Sequence, residues 1–214
     1  KIQFTRFTLF SGAWESWVLD SLVPFFGFKP SSTFFDDCES IAGLPKVVQG
    51  FCHEKRFSLK QILNLKYIPE EILLQLMTWK PLLQLTASTL DEMAMYLKDY
   101  LKNKNITLSN FLRDSEVQEL MNSSLNNRQR TERLRNLIYV KRFPVLSDTN
   151  SRIHDTIEKI NLPEEATMEW DRTLENRRVA LQVNMKDAQK WPEVVKRLAS
   201  PDIERAIRDI LSRL

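Results

Sequence analysis

The sequence predicts a mainly α fold: a helix-turn-helix-containing helical domain followed by a small α-β-β-α module with an extra C-terminal helix. Three observations predict it. Apolar residues recur at three- and four-residue spacing over most of the 214 residues, the signature of amphipathic helices. These stretches are short, and turns carrying Gly, Pro or Ser separate them, as in a helix-turn-helix unit. After residue 143 the period switches to alternation at two places, 166–170 and 179–185, with a polar linker between them, which reads as a hairpin.

Each element has its own signal. Residues 1–10 alternate with β-branched and aromatic side chains and read as a strand. Residues 14–26 are helical, with Trp14, Trp17, Val18, Leu22 and Phe25/Phe26 in register, and Gly27 stops them. Pro30-Ser31-Ser32 opens the next helix, which carries Phe34, Phe35, Cys38, Ile41 and Ala42 until Gly43-Leu44-Pro45 breaks it. Pro45 suits the first position of a helix with Val47, Val48 and Phe51. Ser58 caps the next, with Leu59, Ile62, Leu63 and Leu65, and Pro69-Glu70-Glu71 begins another through Met77. Thr89 to Glu92 reads as the start of a helix through Leu101, and Ser109 and Ser115 precede two short ones. An arginine-rich helix runs over 126–143, where Pro144 ends it, and Ser147 caps a helix through Ile160. After the hairpin, Asp187 opens a helix through Leu198, and Ser200-Pro201-Asp202 restarts a last one. The predicted organisation is a helical domain over 1–122 with its helix-turn-helix at about 14–65, a basic helix over 123–143, and a dimerisation-like module over 144–214.

Composition narrows the function. The chain is 43% hydrophobic and 28% charged, ordinary for a globular protein with a buried core, and its four glycines and 12 phenylalanines point to few hairpins and an aromatic-rich interior. The formal charge is only +3, so nucleic-acid affinity requires local clustering of cations. Cys38 and Cys52 stand at no metal-ligand spacing and fit a reducing, cytoplasmic setting. No apolar run is long enough to span a membrane, no secretory leader is visible, and the first residue is Lys1, as in a piece of a longer protein.

Two stretches carry a resemblance. LPKVVQGFCHEKRFSLKQILNL, residues 44–65, resembles the central region of ParB-type chromosome-partitioning proteins, in which an "LP…V" helix, a short turn and an "LS" helix follow one another. Upstream, FFGFKPSSTFFDDCESIAGLP occupies the place of that family's helix-turn-helix. The segment 153–198 is similar in order to the family's small dimerisation domain. The resemblance implies a non-catalytic duplex-DNA binder acting as a homodimer. The family's N-terminal CTP-binding domain is not in this chain, and no Gly-rich phosphate loop replaces it.

The candidate contacts follow. On the recognition helix, Lys29, Ser31, Ser32 and Thr33 stand where base and phosphate contacts are made, while Asp36, Asp37 and Glu39 repel phosphate. This helix either keeps DNA contact at its N-terminal end or survives as a packing unit. The stronger electrostatic signal is Arg128, Arg130, Arg133, Arg135, Lys141 and Arg142 against Glu132 alone, a surplus of five that leaves −2 for the rest of the chain. Arg128, Arg135 and Arg142 recur every seven residues on one face, with Leu134, Leu137 and Ile138 as the packed stripe. The bland alternative is a solvated helix paired with acids such as Asp114, Glu116 and Glu119. A weaker cluster, Arg172, Arg177, Arg178 and Lys186, is diluted by Glu169, Asp171 and Glu175.

Catalytic signals are thin. Cys52 and His53 are adjacent, as are His154 and Asp155, and adjacent helical residues point about 100° apart. No metal, cofactor or small-molecule substrate is indicated. A two-stranded hairpin is marginal alone, so a homodimer is expected, formed by Val179, Leu181, Val183 and Met185 with Trp191 from the following helix; the alternative is that the final helix, Asp202 to Leu214, caps the hairpin within one chain. Trp170 and Trp191 are expected to pack the hairpin onto the helix behind it. The rival reading is a protein-protein interaction scaffold that keeps the architecture without DNA binding.

Overall fold

The computed structural model describes residues 17–25, 27, 29 and 33–214. The strand expected over 1–10, together with Trp14, Phe26, Phe28, Pro30, Ser31 and Ser32, lies outside the described residues. The chain is mainly helical with one small antiparallel sheet of two strands, and it divides into two compact units, 1–142 and 143–214.

In the first unit a π-helical turn, Val18–Leu22, runs into a helical turn, Val23–Phe25, and Gly27 follows with a φ of 76°, a backbone conformation glycine adopts without strain. Helix α1 is Phe34–Gly43 and α2 is Lys46–Glu54. The turn between them is held from α2: buried Gln49 donates its Nε2 to the carbonyls of Ala42 at 3.0 Å and Leu44 at 2.6 Å. Helix α3, Leu59–Asn64, starts at a reciprocal cap: Ser58 Oγ accepts from the Gln61 amide, and the Gln61 side chain accepts from the Ser58 amide at 2.8 Å. Helix α4 is Glu70–Trp79.

Helix α5, Ala87–Lys104, begins two residues before the expected Thr89, because the Thr86 hydroxyl takes the Thr89 amide and is the true cap. Thr107 and Asp114, rather than Ser109 and Ser115, cap α6 (Leu108–Leu112) and α7 (Ser115–Met121). Helix α8, Asn127–Arg142, lies along α5 and puts Leu134 and Ile138 wholly inside the first core. The basic segment expected to stand apart over 123–143 thus falls within the first unit. That core also holds Phe51, Leu65, Leu76, Leu90, Met93, Leu97 and Phe111.

The second unit opens with α9, Pro144–Lys159. Pro144 therefore begins a helix instead of only ending one, since proline fits a first helical turn. Ser147 lies inside that helix and its amide bonds to the Phe143 carbonyl. Strands β1, Ala166–Trp170, and β2, Val179–Val183, pair antiparallel with Ala166 opposite Val183, Met168 opposite Leu181 and Trp170 opposite Val179. The second strand ends two residues before the predicted Met185. Asp187 caps a 3-10 turn, Ala188–Lys190, that leads into α10, Trp191–Leu198; α11, Pro201–Arg213, closes the chain. Ile153, Ile160, Met168, Ile203, Ala206 and Ile210 form this unit's core. Trp170 is tied to α9 through its Nε1, which donates to Asn150 Oδ1 at 2.6 Å. Trp191 is 52% exposed and does not play the packing role expected of it.

Candidate nucleic-acid interface

Helix α8 brings the predicted cations onto one element but does not leave them free. Its apolar stripe faces α5, so the flanks of α8 run beside the acids of its neighbours. Arg135 Nε meets Glu92 at 2.8 Å, and Arg142 meets Asp99 at 3.4 Å, both carboxylates belonging to α5. Lys141 reaches two acids at the head of α7, Asp114 at 2.8 Å and Glu116 at 2.7 Å. The hydrogen bond from Lys141 pulls the Asp114 carboxyl below its usual range. Burial alone would lower the Lys141 ammonium, but its bonds to Asp114 and Glu116 prevail and raise it. Arg128 pairs with Glu132 one turn on, at 3.2 Å and largely in water.

Arg130 is a different case. It is buried, and its terminal nitrogens donate to the carbonyls of Leu82 at 3.0 Å and Ser123 at 2.7 Å, while its Nε is buried without a partner. Expected to touch phosphate, it instead ties the 80–82 turn and the loop after α7 to the start of α8. Arg133 alone of the six is exposed with no ion-pair partner among the described residues.

The recognition-helix residues are partly visible. Lys29 is exposed, and so is Thr33, whose hydroxyl donates to Asp37 at 3.4 Å. Ser31 and Ser32 lie outside the described residues. Asp37 also receives Lys66 at 3.4 Å, which draws one of the three acids back toward the protein, and Asp36 and Glu39 remain exposed.

A cluster that the sequence reading passed over lies between α2 and α3. Lys55, Arg56 and Lys60 are exposed within six residues, and neither Arg56 nor Lys60 has a carboxylate partner among the described residues. The local structure explains their display. Helix α2 ends with the Arg56 amide bonded to the His53 carbonyl at 3.1 Å and the Phe57 amide to the Cys52 carbonyl at 2.9 Å, and Arg56 has a φ of 53°. This is the Schellman ending, usually built with glycine. Phe57, folded back by it, is buried with its ring 5.6 Å from that of Phe51. The signal in the sequence was the density of cations in EKRFSLK together with the absence of glycine where a helix must stop.

Around the hairpin, Arg172 lies over the Trp170 ring at 4.8 Å and Arg177 donates to the Leu211 carbonyl at 3.3 Å. Arg178 and Lys186 are exposed. The loop is ordered by Asp171, whose carboxylate accepts from the hydroxyl and amide of Thr173 (2.7 and 2.9 Å) and the side chain and amide of Asn176 (2.7 and 3.1 Å). These bonds, those of Thr173 first, lower the Asp171 pKa from 3.8 to about 2.

The sheet is covered unevenly. Ala166 and Met168 of β1 are each 7% exposed, yet Leu181, directly opposite Met168, is 37% exposed, and Val179 and Val183 are only half-buried. Met185 is half-buried as well. Elsewhere, Cys52 is buried and burial pushes its thiol up to about 11, so it is no nucleophile near neutral pH. Among the described residues no group of three or more His, Cys, Asp or Glu could hold a metal ion, and no helix is long and apolar enough to cross a membrane. No protein family, curated protein or solved structure matches the chain.

Proposed function

We propose that the chain is a non-catalytic, ParB-like DNA-associated protein that meets duplex phosphates through the turn between α2 and α3 and acts as a homodimer. In this reading α1 and the segment before it are the helix-turn-helix, with Lys29, Ser31, Ser32 and Thr33 at its contacting end, and α9, β1, β2 and α10 are the dimerisation module. The observation that carries the reading is Arg56. An exposed cation with no carboxylate partner among the described residues occupies a left-handed position that costs a non-glycine residue roughly 1–2 kcal/mol. A helix stop made for stability alone would use glycine, and strain retained at an exposed site points to function. Lys60 and Lys55 extend the positive surface beside it. The uneven cover of β2 supports the dimer, because a second copy would shield Leu181 and occupy a free strand edge.

The arginine helix supports a second reading. With Arg130 buried and Arg128, Arg135, Lys141 and Arg142 each engaged by a carboxylate, α8 serves cohesion of the first unit, which favours an interaction scaffold without DNA binding. The two readings separate in a titration of the chain against a short labelled duplex at several salt concentrations. Phosphate contact by a few cations gives a log-log slope of about −0.9 for each phosphate neutralised. No binding at low salt would leave the scaffold.

A further inference from the structure

We propose that a cleft in the first unit, between the end of α2, the segment 83–85 and the start of α8, binds a small aromatic anion: a flat apolar body carrying one carboxylate or phosphate. The cleft encloses about 300 Å³, at the lower end of the range for small-ligand pockets. Its floor is apolar, made by Phe51, Leu83 and Leu85, each no more than 4% exposed. Its rim is polar, made by Lys55, Lys80, Gln84 and Asn127.

The charges at this rim do not cancel. Among the described residues Glu54 is the one carboxylate that Lys80 and Lys55 touch, the latter at 3.5 Å, so two ammonium groups share a single negative charge. Lys80 Nζ also stands 5.3 Å from the centre of the Phe51 ring, which places a cation directly above the apolar floor. A further positive charge lies behind the lining. The guanidinium of Arg130 is bonded to the carbonyl of Leu82, next to Leu83 of the floor, and among the described residues it meets carbonyl oxygens and no carboxylate. A buried cation acts across low-dielectric surroundings with less screening than one in water.

Floor and rim together select the ligand. A neutral apolar molecule would cover the floor while stripping water from the lysines. A bare inorganic anion would satisfy the lysines and leave the floor wet. An aryl phosphate or aryl carboxylate answers both, its ring toward the apolar side of the cleft and its acid toward Lys55 and Lys80. Of the cations assigned to duplex contact only Lys55 lines the cleft, whereas Arg56 and Lys60 do not, so loss of duplex binding and loss of phenyl phosphate binding are separate outcomes.

The test is a titration of the full chain, labelled with nitrogen-15, against phenyl phosphate, with amide shifts followed at Gln84, Leu85 and Asn127. Saturable shifts clustered at these residues are expected. Inorganic phosphate and benzyl alcohol, each lacking half of the ligand, should bind at least about tenfold more weakly. K55Q/K80Q should weaken phenyl phosphate by a similar factor, and Q84W, which fills the mouth and leaves every charge in place, should do the same. K46Q removes an exposed lysine elsewhere and should change nothing. Absence of saturation at millimolar phenyl phosphate would overturn the proposal. So would shifts scattered over the surface, equal binding of inorganic phosphate, or binding indifferent to both cleft variants.

Discussion

At Arg56 a backbone suited to glycine carries an exposed guanidinium, so stability and display pull in opposite directions there. R56G should raise the unfolding free energy by about 1 kcal/mol, read from urea denaturation, while lowering affinity for duplex DNA. Arg130 is the opposite kind of arginine. R130M should cost about 2 kcal/mol or more, because the Leu82 and Ser123 carbonyls lose a charged donor in a buried place. Its inward direction was legible in the sequence: Arg130, Leu134 and Ile138 follow one another at four-residue spacing, so the apolar stripe extends back to Arg130. Counting cations by segment hid this. Arg56 was not legible from charge alone, since its display depends on the bonds that end α2. Asp171 gives a pH signature. Its folded pKa is depressed from 3.8 to about 2, so its contribution to the hairpin loop is present above the ordinary value and lost as pH falls through the folded one. The Thr173 and Asn176 amide resonances should therefore titrate with a midpoint near 2. A midpoint near 3.8 would mean that Asp171 does not organise the loop.

Among the elements, α8 shows how a basic helix can be structural. L134A should cost about 2–5 kcal/mol, since the residue is wholly buried between α8 and its neighbours. R128Q, which breaks an ion pair lying in water, should change stability by less than about 1 kcal/mol. Helix existence was readable almost throughout from periodicity, because the cores are built from three- and four-residue spacings. Helix starts were less so. Several Ser and Thr residues stood within a turn of each start, and only the hydrogen bonds distinguish Thr86 from Thr89 or Thr107 from Ser109. Pro144 illustrates the same limit, as proline both stops one helix and suits the first turn of the next. In the sheet, alternation identified both strands, whereas the uneven cover of β2 depends on the helices packed behind it. If a second copy covers that face, L181E should shift sedimentation equilibrium from dimer to monomer without unfolding the chain.

Across the molecule, the formal charge of +3 conceals how the cations are used. Most of those on α8 are matched by acids of the first unit, Arg133 excepted, whereas Arg56 and Lys60 between α2 and α3 are exposed with no carboxylate partner among the described residues. Net charge per segment could not show this, because pairing joins residues far apart in the chain, such as Arg135 with Glu92 or Lys141 with Asp114. In the proposed function phosphates are met at the turn between α2 and α3 and not along the arginine helix. The measurement that tests this most directly is the salt dependence of duplex binding for R56Q/K60Q and for R128Q/R135Q/R142Q, each compared with the unaltered chain. The expected result is a log-log slope flattened by roughly two phosphate equivalents in the first variant and nearly unchanged in the second. A slope flattened only when the arginine helix is altered, or no duplex binding by the unaltered chain at low salt, would contradict it.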